Sequence, residues 1–252
     1  MNEKLHRHEE ELQARIAEYE ACEGYRIQDE LRAFRTGYDI FVGNYGDLKR
    51  ALAWARDPRQ WPHLWDERHK YRLVRFNKEI SRLLHNFVTA AKSLVEHTRN
   101  FMRSNYASTD FFEEYQARVD RYFAYDPLIQ FVQDLRNYML HKSLTAASLI
   151  LKTGDGRLAE KSYVALAPNK LREWDKWTAE ARPYLDGLDD ERSLEEVVDA
   201  YRDKVMKLWM WFGPRLGQEH LEAYREMASL EDRIRAVDPN WESGYGGVFT
   251  AK

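Results

Sequence analysis

Arg136, Asn137 and His141 stand together in the run Phe-Val-Gln-Asp-Leu-Arg-Asn-Tyr-Met-Leu-His-Lys, residues 131–142. An imidazole can take or give a proton near neutral pH, which is worth ~10²–10⁴ in rate when the group is well placed. A guanidinium can grip two oxygens of a phosphate and stabilise the charge that builds up in its transition state. The run reads as a helix. At ~100° per residue, Leu128, Phe131, Val132, Leu135 and Met139 share one side, and Gln130, Asp134, Asn137 and His141 lie opposite. Asn137 and His141 are neighbours four residues apart, so the amide could fix the imidazole's tautomer and orientation. Arg136 points ~140° away from His141 and must reach round. One helix makes a poor site, whereas two copies facing each other would set two arginines and two histidines around one groove.

Arg, a polar residue and then His at this spacing resembles the signature of the HEPN superfamily, Arg-x(4–6)-His with Asn, Asp or His after the Arg. Two other stretches match the bare spacing, Arg56 to His63 and Arg215 to His220. The first crosses Asp57-Pro58 and Pro62; the second has Leu after the Arg and starts beside Gly213-Pro214. The resemblance implies a HEPN-like up-and-down helical bundle, spanning about 64–142 and the last long helix. It also implies a homodimer with a composite, metal-independent active site that cuts RNA by attack of the 2′-hydroxyl on the adjacent phosphate. Arg136 and His141 would be the catalytic residues and Asn137 their support, with no metal and no cofactor. A toxin or defence role would bring an antitoxin-type protein partner. One toxin subgroup carries Tyr two places after the His; this chain has Ser143. Some members bind RNA or act as scaffolds without cutting, so a non-catalytic helical interaction module is the alternative.

The rest of the chain must position this segment. Leu73, Phe76, Ile80, Leu83, Phe87, Ala90, Leu94, His97 and Phe101 recur in steps of three and four, predicting a long amphipathic helix over about 64–104. Between Asp66 and Arg103 there are nine Lys/Arg against four Asp/Glu, a basic face that could meet phosphates. Ser108-Thr109-Asp110 can cap a following helix, and Asp126-Pro127 reads as a cap plus first-turn proline opening the helix of the motif. Thr145–Lys152 and Ser162–Ala167 are β-compatible and predict an inserted hairpin at about 145–168. Helix resumes from Asn169 to about Leu185, then from Ser193 to about Val237 with a break near Gly213-Pro214. Residues 186–203 hold eight Asp/Glu and two Arg, an acidic segment that suits the interaction-module alternative. The expected fold is mainly α. It has an N-terminal helical arm over 1–60, interrupted at Gly43 and Gly46, a bundle over 61–237 and a loose tail over 238–252.

Composition excludes several classes. Among the 252 residues are 8 Trp, 15 Tyr and 11 Phe, enough aromatic bulk for a substantial core. Cys22 alone makes neither an internal disulfide nor a multi-cysteine zinc site. The charged N-terminus is no signal peptide, and no apolar run approaches the ~20 residues that cross a bilayer, so the expectation is a cytoplasmic protein with no membrane partner. A net charge of -3 means that any RNA contact must be local. Gly154-Asp-Gly156-Arg-Leu-Ala159 mimics a dinucleotide fingerprint but joins two strands, where a strand and a helix are required. The adjoining Glu160-Lys161-Ser162 puts a carboxylate where a phosphate loop needs glycine. The nearest thing to a Glu-x-x-His metal unit is Asp66-x-x-His69.

Overall fold

The computed structural model describes residues 2–153 and 159–243, which are mainly α-helical with one inserted β-hairpin. Contacts divide the chain into two compact units, Met1–Thr36 with Trp209–Lys252, and Gly37–Leu208. The elements are α1 (Asn2–Ala21), α2 (Glu23–Arg56), α3 (Trp61–Leu64), α4 (Tyr71–Tyr106), α5 (Asp110–Val119) and α6 (Pro127–His141). Then come β1 (Ala147–Thr153), β2 (Ala159–Leu166), α7 (Pro168–Arg172), α8 (Arg182–Asp186), α9 (Leu194–Glu219) and α10 (Leu221–Arg235). The division between the units falls within α2 and within α9.

In the first unit the charged N-terminal helix is not left bare. Tyr19 and Cys22 pack on Met227, Leu230 and Ile234 of α10, and the Tyr19 hydroxyl donates to Glu231 at 3.2 Å. Gly24 makes the close approach possible. A Cβ there would stand 2.6 Å from the Ala223 carbonyl oxygen and 2.8 Å from Met227 Cβ. At Gly43, on the exposed side of α2, a Cβ would meet nothing. Opposite outcomes are therefore expected from the same change. Gly43→Ala should raise stability by roughly 0.5–1 kcal/mol through helix propensity alone. Gly24→Ala should lower it by about 1–3 kcal/mol through overpacking, despite the same propensity gain. Chemical denaturation of the two variants checks this. α2 also runs unbroken through Gly43 and Gly46, because glycine weakens a helix without ending it when packing holds the flanks; Phe41, Leu48 and Leu52 are buried.

The second unit is built around α2, α4, α6 and α9. Phe41, Phe87 and Tyr201 meet ring to ring, with centroids 5.6–6.1 Å apart. Gln133 of α6 donates its amide to the buried Tyr201 hydroxyl at 2.8 Å. Along α4 the expected stripe is buried from Phe76 to Leu94, but His97 is exposed and Thr98, Met102 and Tyr106 take over. A straight helix drifts ~20° per heptad against a 3.5-residue repeat, which carries the contact line from 97 to 98. Thr98 satisfies its buried hydroxyl on the Leu94 carbonyl at 2.7 Å.

The predicted caps form. Thr109 accepts from the Phe112 N–H at 3.2 Å, and Asp126 accepts from the Ile129 N–H at 3.1 Å ahead of Pro127. The hairpin is antiparallel, pairing Ala147 with Leu166 and Ile150 with Tyr163. A two-stranded sheet is marginal alone; this one is tied to α4 by the Leu149 N–H, which donates to Asn77 Oδ1 at 3.0 Å. Its loop, with Gly154, Asp155, Gly156, Arg157 and Leu158, lies outside the described residues, as does the tail from 244.

Two helical expectations are corrected. Residues 173–181 are not helical, because Thr178 is pinned elsewhere: its N–H and hydroxyl both donate to Asp134, at 2.8 and 2.7 Å. The last long helix passes straight through Pro214 and breaks at His220 instead. Met210, whose carbonyl loses its partner to that proline, is exposed and can bond water.

Burial holds several phenols protonated above their ordinary range, with Tyr115 and Tyr224 pushed up to about 12 and Tyr201 higher still. These groups stabilise the fold fully below the unfolded phenol pKa near ~10. Above it the unfolded chain loses protons that the folded chain keeps, so stability falls as pH rises toward the folded values. An unfolding series from pH 9 to 12 should show a steady alkaline loss.

Candidate functional site

Almost every side of α6 is buried. Leu128, Phe131, Val132, Leu135 and Met139 form the expected apolar side, and Ile129 and Tyr138 are buried as well. The side opposite is solvated only at its far end. Asp134 is buried and holds the Thr178 segment, and Gln130 donates its amide to the Phe123 and Ala124 carbonyls at 3.1 and 3.0 Å. What remains free of such duties is the last turn and a half, with Arg136 and Asn137 half-buried and His141 exposed at the helix's final residue.

The Arg136 guanidinium donates from Nη1 to Asn137 Oδ1 at 3.3 Å, while its buried Nε has no hydrogen-bond partner. No ion pair to Arg136 is present among the described residues. The other two spacing matches differ. Arg56 pairs with Glu195 at 3.0 Å and Arg215 with Glu219 at 2.9 Å. So of the three arginines, the one in the motif is the one not bonded to a carboxylate. The Asn137 oxygen serves the arginine, and no hydrogen bond joins Asn137 to His141 among the described residues.

Beside this end of α6 lies a groove of about 710 Å³, walled by Leu144 and Thr145 just beyond His141 and by Lys78, Arg82 and His85 of α4. Spacing i, i+4, i+7 puts Lys78, Arg82 and the His85 imidazole on one face. The basic face was legible in the charge count; that the segment after His141 would form its opposite wall was not. A second cleft, about 410 Å³, opens at the start of α4 between Trp54, His63, Tyr71, Arg72, Arg75 and Glu79. Tyr71, Arg72 and Arg75 fall within the long helix expected over about 64–104, and an aromatic followed by two arginines was the signal that could have found this cleft.

Other charges are accounted for. The acidic segment is largely paired internally. Lys49 bridges Glu195 and Asp199 at 2.5 and 2.7 Å, and the Tyr45 hydroxyl donates to Asp199 at 2.8 Å. Asp66, bonded by Arg68 and then by His69 at 2.7 Å, is held far below the usual carboxylate range. Among the described residues no cluster of His, Cys, Asp and Glu could hold a metal ion, and no helix is long and apolar enough to cross a membrane. Comparison of the chain with protein-family models, with curated proteins and with solved structures finds no match.

Proposed function

We propose that the protein acts on RNA as a HEPN-like, metal-independent endoribonuclease of toxin or defence type, working as a homodimer in the cytoplasm. One observation carries the reading: Arg136 is half-buried in the motif helix with no carboxylate beside it. A buried cation costs free energy until an anion joins it, and a phosphodiester fits a guanidinium in two places at once. His141, exposed at the same end of α6, is open to substrate.

The chemistry follows from these groups. The imidazole of one protomer takes the proton of the 2′-hydroxyl, and the 2′-oxygen bonds to phosphorus as the P–O5′ bond breaks. The imidazole of the other protomer protonates the departing 5′-oxygen, and the arginines hold the charged phosphate oxygens. The products are a 2′,3′-cyclic phosphate and a 5′-hydroxyl. The test is incubation of purified protein with structured RNA, with and without chelator, followed by analysis of the ends. Cleavage that survives chelator and leaves cyclic phosphate is expected. No cleavage, or cleavage lost to chelator, overturns the reading.

A second reading, the helical interaction module, is favoured by apolar side chains flanking His141. Leu140 and Leu144 are 45% and 56% exposed, a surface that a second copy or an antitoxin-type protein would cover.

A further inference from the structure

We propose that the cleft between Trp54 and Tyr71 is a base-binding subsite for single-stranded RNA, with the phosphates of the strand lying along Arg72, Arg75 and Lys78 of α4. This rests on the reading of the protein as RNA-acting and adds the form of the substrate and where it is held.

Two aromatic rings stand exposed where rings are ordinarily covered. Trp54 is 40% exposed and Tyr71 62% exposed, and both line one cleft. Trp54 is backed by the buried Phe76, ring centroids 5.4 Å apart, so the indole is held from one side. A volume of about 410 Å³ falls within the range of small-ligand sites and suits one base with its sugar. Every nucleobase has a face that stacks on an aromatic ring, which is how proteins hold single strands without reading their sequence.

The charges sort the two halves of a nucleotide. From Tyr71 to Arg82, α4 carries Arg72, Arg75, Lys78 and Arg82 against Glu79 alone. Glu79 is bonded by Arg82 through both oxygens, at 2.8 and 2.5 Å, which keeps it ionised by holding its pKa below the usual range. A fixed carboxylate repels phosphate and accepts N–H groups of a base edge, so the base goes in and the phosphates stay out. Arg72 and Arg75, in no ion pair among the described residues, and Lys78 in the neighbouring groove then supply a cationic track along successive turns of one helix. In a duplex the base faces are stacked on each other and cannot enter the cleft.

The test measures binding of a fluorescein-labelled 12-nucleotide single-stranded RNA, and of the same strand in a duplex, by anisotropy in the His141→Ala background, where cutting is slowed. Tighter binding of the single strand is expected. Tyr71→Ala should weaken it roughly 5- to 150-fold, the range of base–aromatic stacking, and leave duplex binding unchanged. Lys78→Gln should weaken both forms and flatten the salt dependence by about 0.7 in log–log slope for the single strand. Tyr71 is exposed, so its loss should not disturb folding; a thermal melt checks that. Equal binding of both forms, or a Tyr71→Ala variant that binds as well as its parent, overturns the subsite and leaves the cleavage reading standing. Tyr71-dependent binding by a protein that never cuts RNA supports the subsite and sinks the nuclease. Absence of any RNA binding sinks both.

Discussion

His141→Ala is expected to cut RNA about 10²–10⁴-fold more slowly than the parent, the usual worth of a positioned acid or base, while melting at the same temperature. The two readouts should separate because His141 is exposed and has no hydrogen-bond partner among the described residues, so little of the fold leans on it. Loss of Arg136 would be harder to interpret, since its Nε is buried. If each protomer supplies one imidazole to each reaction, mixing inactive His141→Ala with parent protein should poison the parent in mixed dimers. Equal residual cleavage by parent and variant would remove the ribonuclease proposal, because no other histidine stands next to an arginine lacking a carboxylate in the motif spacing.

Phe131→Ala should give the largest loss of stability, about 3–5 kcal/mol. Phe131 is fully buried at the middle of α6. Its ring stacks on Trp177, centroids 5.3 Å apart and planes 11° from parallel, and lies 5.1 Å from Tyr184. Trp177 in turn covers Tyr138 and donates its indole N–H to the Leu171 carbonyl at 2.8 Å. Removing the phenyl leaves a cavity under a segment that has little regular structure to hold it, so the damage should spread to the Asp134–Thr178 bonds. The melting temperature should fall by roughly 10 °C in a chain of this size, measured by circular dichroism. A loss under about 1 kcal/mol would mean that Trp177 collapses into the space. Unlike His141→Ala, this variant should lose stability and any activity together, because α6 carries the motif at its end.

What the residues alone decided about this protein is what depends on neighbours in the chain. Thr109 and Asp126 cap helices because their oxygens reach N–H groups three residues on. The α4 stripe and the two strands follow from period, and the spacing of Arg136, Asn137 and His141 on one helix follows from 3.6 residues per turn. Tertiary structure decided which of those groups remained available. Asp134 and His141 looked alike on the helical wheel, yet one is buried against Thr178, 44 residues away, and the other faces solvent. Arg56, Arg136 and Arg215 looked alike in spacing, yet carboxylates claim the first and last, and Glu195 reaches Arg56 across 139 positions of chain. Trp54, His63 and Tyr71 make a cleft only because α2, α3 and α4 converge there. Local periodicity sets where a side chain points relative to its own helix; long-range packing sets what it meets, and that choice is made by burial free energy summed over partners distant in sequence.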